Sequence, residues 1–255
     1  MLSFITPFRL ALPIPIREVW FLGKNDQIPR CTLIPRPLRI FNSEQRIDGL
    51  PGRWRQAQTL VNRLDSLDDL KSRLSSGTRR EIRQSIERDR SRVVLGWTPA
   101  QLASFARNLD AGNPNQPNLA RMLALAAVGG LGIAAAFIGE SILCAHVYVE
   151  DAALGMTRLL YSYSARPRRR DNDDSARSPE TTEFAALVGR TNKALHWLDM
   201  QRYRDRGFRI YDWGGYSGRK DNGIDRFKML FRGEIVETWY FEGATLPRWR
   251  HLKRG

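Results

Sequence analysis

The stretch Met122 to Gly139, MLALAAVGGLGIAAAFIG, decides the fold. It carries no charge and is nearly long enough to cross a bilayer as one helix of about 20 residues. Gly129, Gly130 and Gly132 argue against that, because each glycine inside a helix costs about 1 kcal/mol relative to alanine. The segment therefore reads as a buried helix over Asn118 to Val128, a glycine turn, and then a strand. Downstream, GIAAAFIG and SILCAHVYVED flank a turn at Gly139-Glu140, and GMTRLLYSYSA follows a second turn at Ala152 to Gly155. That order predicts a three-stranded antiparallel meander. Alternation in its second strand sends Leu143, Ala145, Val147 and Val149 to one face, and Cys144, His146 and Tyr148 to the other.

Beyond the meander lies a charged loop, 164–180, in which Arg166, Arg168, Arg169 and Arg170 either hold phosphates or are neutralised by Asp171, Asp173 and Asp174. A long amphipathic helix follows from about Thr181 to Arg206, with Leu187, Val188, Thr191, Ala194, Leu195 and Leu198 on one face and Gly207 as its stop. Next come a strand FRIYDWGG, a short helix around NGIDRFKMLF, and a last strand EIVETWYFEG. Alternating helix and strand make this half α/β.

Upstream of the decisive stretch, Thr98 to Leu109 reads as a helix with Pro99 at its first position, and Arg92 to Gly96 as a short strand. Thr78-Arg79-Arg80-Glu81 has the form of a capping box opening a helix that continues through Ile82 and Ile86. Another helix begins near Ser66, with Leu67, Leu70 and Leu74 on one face. Before it, IREVWFLG and CTLIPRPLRIF are short strands, Pro35 and Pro37 suiting an edge. Residues 1–65 thus read as a strand-rich extension and 66–255 as the main domain.

Composition bounds the function. With 255 residues, 42% hydrophobic and 27% charged, the chain is neither disordered nor a disulfide-stapled miniprotein. Lys plus Arg is 41 against 27 for Asp plus Glu, a net charge of +14, which favours an anionic partner, with phosphate the first candidate. Lysine is scarce, standing at 24, 71, 193, 220, 228 and 253. Cys31 and Cys144 lie far apart without metal-ligand spacing, so no metal site is expected and a reducing cytoplasm fits. Pro7, Pro13 and Pro15 break the first apolar run, and no signal peptide or membrane span is read.

Four strings give the pattern a family. Ser76-Gly77-Thr78-Arg79-Arg80-Glu81-Ile82-Arg83 is similar to an R-x-x-I-R helix; Leu195-His196-Trp197 lies in the long helix; Tyr211-Asp212-Trp213-Gly214-Gly215 ends a strand; and Gly223-Ile224-x-x-Phe227-Lys228-x-x-Phe231-x-Gly233 follows it. Together, over roughly residues 66 to 243, they resemble the FemAB-like branch of the GNAT acyltransferase fold. The resemblance implies a mixed sheet with flanking helices. It also implies transfer of an acyl or aminoacyl group to an amine of a phosphate-bearing or cell-envelope precursor, a small, lipid-linked or tRNA substrate. The chain is too short for two complete GNAT-like domains, lacks a helical hairpin arm, and lacks the R/Q-x-x-G-x-G/A loop that holds coenzyme A. The donor, a coenzyme A thioester or an aminoacyl-tRNA, therefore stays open, and no tightly bound cofactor is expected.

The resemblance and the chemistry nominate residues. Lys228 is the candidate for stabilising the developing oxyanion, with Phe227 beside the substrate. Asp212 orients the amine or accepts its proton, or else caps the turn that follows. His146 is a candidate base or a satisfied structural histidine. Gly214 and Gly215 admit substrate close to the backbone or merely turn. Tyr161, Tyr163, His196 and Trp197 line the cleft or pack. Arg79, Arg80 and Arg83, at the positive end of a helix, bind phosphate or are solvated. One deep cleft lined by Phe227, Lys228, Asp212 and Tyr161 is expected. The competing class is a non-catalytic nucleic-acid-binding protein, supported by the charge and by arginines at 79 to 92 and 202 to 209.

Overall fold

A computed structural model describes residues 1–8, 14–23, 38–50, 52–89, 91–96, 101, 118–165 and 179–243. The predicted helix over Thr98 to Leu109 apart from Gln101, together with Cys31, Pro35, Pro37 and the arginines of the 164–180 loop, lies outside them. In chain order the elements are β1 (Leu2–Phe8), β2 (Ile14–Trp20), β3 (Leu38–Ser43), β4 (Gly52–Arg63), α1 (Leu67–Arg73), α2 (Ser76–Glu87) and β5 (Arg92–Leu95). They continue with α3 (Leu119–Ala127), β6 (Leu131–Ile138), β7 (Ser141–Asp151), β8 (Met156–Ser164), α4 (Pro179–Asp205), β9 (Ile210–Tyr216), α5 (Gly223–Met229) and β10 (Glu234–Gly243).

All ten strands form one mixed sheet in the order β1-β2-β3-β10-β4-β9-β8-β7-β6-β5. Its parallel pairs are β2 with β3 and β8 with β9. The decisive stretch divides as its glycines require: α3 stops at Ala127, the amide of Gly130 bonds back to the Leu125 carbonyl at 2.9 Å, and β6 begins. Gly132 answers to space, since a Cβ there would collide with the Glu150 carboxylate and the Tyr203 hydroxyl. Among the described residues no helix is long and apolar enough to cross a membrane.

Helices cover both faces of the sheet. Ile133 and Ala135 of β6 pack with Met122 of α3, whereas their neighbours Ala134 and Ala136 pack with Val188 and Leu195 of α4. On the α4 side, α1 and α2 add Leu67, Leu70, Leu74 and Ile82 to a core with Trp197, Trp213 and Phe231. On the α3 side, Phe4, Trp20 and Phe21 close over Leu125 and Val149. The described strands of residues 1–65 lie in this same sheet, with β4 between β10 and β9 in its middle.

Two local expectations are corrected. Ser75, with extended backbone, is the N-cap of α2, its hydroxyl accepting from the Thr78 amide at 3.1 Å. Thr78 is thus already inside the helix, and Glu81 pairs instead with Lys193 at 2.6 Å. Leu143 joins the α4-side cluster with Cys144, because the β6–β7 register slips between Cys144 and Ile142.

Candidate active site

β8 and β9 share three register pairs, Met156 with Ile210, Thr157 with Tyr211 and Arg158 with Asp212, and then part. The last pair is a buried ion pair, Arg158 Nη1 to Asp212 Oδ2 at 2.7 Å. Asp212 also accepts from Asn42 Nδ2 at 3.0 Å, from the Thr59 hydroxyl and from the Gly214 amide at 2.7 Å. Arg158 in turn reaches Asn42 Oδ1 at 2.8 Å and the Tyr240 hydroxyl. Both carboxylate oxygens of Asp212 are thus engaged by donors, and the bond to the Gly214 amide is the turn cap. Gly214 has φ +78°, and a Cβ there would sit 3.1 Å from the Leu159 carbonyl oxygen of β8. Only glycine lets β9 swing away at this point.

α5 comes back to the parted end. Asn222 caps it by accepting from the Ile224 amide at 3.0 Å, and Asp225 ties down the preceding loop by accepting from the Ser217 amide at 3.0 Å and hydroxyl at 2.5 Å. Lys228 thereby places its ammonium 2.6 Å from the Gly215 carbonyl oxygen and 3.5 Å from that of Gly214. The side chain is 8% exposed, and among the described residues no carboxylate lies within 4.0 Å of it. Burial lowers its pKa, opposed by Asp225.

Behind Lys228 a chain of buried polar groups runs between α4 and the sheet. The Tyr148 hydroxyl donates to Asp199 Oδ2 at 2.5 Å, the hydroxyls of Tyr148 and Tyr211 are 2.7 Å apart, and Tyr211 meets His196 Nδ1 at 2.7 Å. Since Tyr148 has spent its proton on Asp199, it accepts from Tyr211, which then accepts from His196 Nδ1–H. That order leaves the lone pair of neutral His196 on Nε2, for which the described residues provide no hydrogen-bond partner. Burial, reinforced by His146 and Lys228, holds His196 well below the ordinary histidine range. His196 packs on Trp213 and Phe227, with centroids 4.4 and 5.6 Å apart.

His146 lies fully buried with both ring nitrogens engaged, by Asp199 at 2.8 Å and by the Asn192 side chain at 2.8 Å. His146, His196 and Asp199 bring ligand atoms within 4.8 Å of one another. The two imidazoles stack at 3.8 Å and 23°, however, so their in-plane lone pairs run side by side rather than converging on one metal centre.

The remaining nominated residues fall elsewhere. Arg79, Arg80, Arg83 and Trp197 line a cavity of about 660 Å³ between α1, α2 and α4. Tyr161 and Tyr163 pack on the α3 side, because the β7–β8 register skips Leu160 and flips the alternation beyond it. Asp212 borders a second cavity, about 470 Å³, with Asn42, Thr59, Met156 and Thr238. Neither of these two cavities includes Lys228, Phe227 or Tyr161, and the bulge at Leu160 turns Tyr161 to the α3 face of the sheet, whereas Phe227 packs on the α4 face.

Sequence reading missed Asp199, Tyr211 and Arg158 as site groups. A signal existed for one: Asp199 follows His196 by three residues, which puts both on one helix face.

Neither protein-family models nor curated proteins match this sequence. Solved structures do. FemX superposes with a TM-score of 0.51 at 13% identity, covering 73% of this chain and 61% of FemX. A conserved protein of unknown function from Bacteroides thetaiotaomicron VPI-5482 gives 0.52 at 10% identity, covering 82% and 70%. L-PGS from Bacillus licheniformis gives 0.49 at 10%, covering 83% and 70%. This chain spans about three fifths of the length of FemX, and at these identities the likeness speaks for architecture alone: the chain has a FemX-like fold.

Proposed function

We propose that this protein is an acyl- or aminoacyl-transferase that forms an amide on an amine, at the place where β8 and β9 part. The observation that carries this reading is the position of Lys228, a buried ammonium with no carboxylate partner among the described residues, held by the Gly215 carbonyl at the open end of β9. In the reaction, the amine nitrogen attacks the carbonyl carbon of the activated donor. The carbonyl oxygen gains negative charge, the bond to the donor's sulfur or oxygen breaks, and the amine loses a proton. A buried point charge stabilises the oxyanion more than the same charge in water, and Lys228 supplies it. Neutral His196, close enough for the Lys228 charge to act on it, accepts a hydrogen bond from the amine at Nε2 and so orients it, and the amine proton leaves with the departing sulfur or oxygen. Asp212 positions rather than reacts, through Arg158 and the Gly214 turn.

The resemblance extends the reading to an acceptor that is a phosphate-bearing or envelope-precursor amine. The nucleic-acid alternative loses part of its support, because the basic run from Arg202 is largely engaged internally. Arg206 bonds Glu150 at 2.6 Å, Arg202 the Ile133 carbonyl at 3.1 Å and Arg209 the Leu154 carbonyl at 3.2 Å. A thermal-shift screen against coenzyme A thioesters, aminoacyl-tRNA and amine-bearing nucleotide sugars tests the proposal. One donor class should raise the melting temperature of wild type. No shift with any donor at millimolar concentration speaks against it.

A further inference from the structure

The cavity between α1, α2 and α4 is amphipathic. Leu74, Ile82 and Trp197 form its buried floor, and Ile86, 50% exposed, stands on its wall. Lys71, Arg79, Arg80 and Arg83 rim it, against the single carboxylate of Glu87. Among the described residues none of the four cations has a carboxylate within 4.0 Å, and Arg79 bonds only the Ser72 carbonyl, at 2.9 Å. The first turn of α2 has no acidic residue, so the positive end of the helix adds to the same charge. Uncompensated cations gathered on one rim repel one another, and an anion there relieves the repulsion.

We propose that this groove binds an anionic amphiphile, its phosphate held by Lys71, Arg79, Arg80 and Arg83 and its alkyl chain laid along Ile82, Ile86 and Trp197. The volume, about 660 Å³, falls within the range of about 300 to 1,000 Å³ usual for small-molecule sites. Nucleic acid fits less well: a strand needs aromatic faces on which bases stack, and Trp197, 5% exposed, offers none among otherwise aliphatic walls. The inference goes beyond the transfer reading and stands apart from it, since binding is measured with no donor present.

Calorimetric titration with decyl phosphate below its micellar concentration tests it, beside inorganic phosphate, decanol and an oligothymidylate. Decyl phosphate should bind at least tenfold more tightly than inorganic phosphate or decanol. The Arg79→Gln, Arg80→Gln, Arg83→Gln variant should lose at least tenfold, with the loss shrinking as salt rises. Replacing the exposed Arg46, Arg53 and Arg55 by Gln removes equal charge and should leave affinity unchanged. Ile86→Ser, on an exposed position that folding tolerates, should weaken decyl phosphate about threefold and leave inorganic phosphate unaltered. Equal affinity for decyl and inorganic phosphate, or equal loss in the two triple variants, overturns the proposal. So does loss of oligothymidylate binding alone in the groove variant.

Discussion

Arg158 of β8 and Asp212 of β9 form a buried ion pair, 2.7 Å between Nη1 and Oδ2, at the last register pair before the two strands separate. The pair sets where the sheet opens, because Asp212 also holds the amide of Gly214, the first residue to turn away. Asp212→Asn keeps the shape but leaves the Arg158 charge unpaired. Urea unfolding should show a loss of about 3–5 kcal/mol. A loss under about 1 kcal/mol would mean that the pair does not hold the strands.

The buried chain from Asp199 to His196 fixes a tautomer. Nitrogen–proton correlation spectra of wild type at pH 7 should show His196 with its proton on Nδ1 and a pyridine-like Nε2. Tyr211→Phe removes the partner of Nδ1, should release that preference, and should destabilise by about 1–3 kcal/mol through the unsatisfied groups left behind. A proton on Nε2 in wild type would contradict the donor order.

His196 also predicts a pH dependence. Its folded pKa lies below the unfolded value of about 6.5, so below that pH the unfolded chain binds the extra proton and stability falls as pH drops. Such a group contributes at most about 1.4 kcal/mol per pH unit. Between pH 7 and 5, His196→Gln should lose stability less steeply than wild type. Identical slopes would show that His196 is not held neutral.

Cys144 is buried, its thiol on the Val188 carbonyl at 3.5 Å and its pKa pushed up to about 12 by burial. At pH 8 it should react with a disulfide reagent only at the rate of opening, and immediately in denaturant. Rapid reaction in the native protein would place it at the surface.

Much of this architecture was legible in the chain. The last strand, 234–243, follows the string EIVETWYFEG, and the meander and α4 follow periodicity and glycine punctuation. β4 was not legible, although it is central. Its first residues, with Arg53, Arg55, Gln56 and Gln58, are mostly exposed, and only Thr59 to Asn62 are buried, too short a run to announce a strand. Lys228 and the Gly214-Gly215 turn were nominated because each sits in a compact string, Gly223 to Gly233 and Tyr211 to Gly215. Tyr148, Asp199 and Tyr211 belong to three different elements, and only the register between β7, β8 and β9 brings them together. The capping box was misplaced by one turn because Ser75 and Thr78 are both good caps, and backbone geometry, not composition, chose between them.

Amide formation by wild type and by Lys228→Ala and Lys228→Arg tests the central claim most directly, using labelled coenzyme A thioesters and aminoacyl-tRNA with amine-bearing nucleotide sugars as acceptors. Wild type should transfer label from one donor class. Lys228→Ala should keep donor affinity while turnover falls about 100- to 1,000-fold, and Lys228→Arg should not restore it, because a planar fork cannot take the place of a compact charge. Turnover of Lys228→Ala at the wild-type rate, or no transfer by wild type from any donor, would contradict the account.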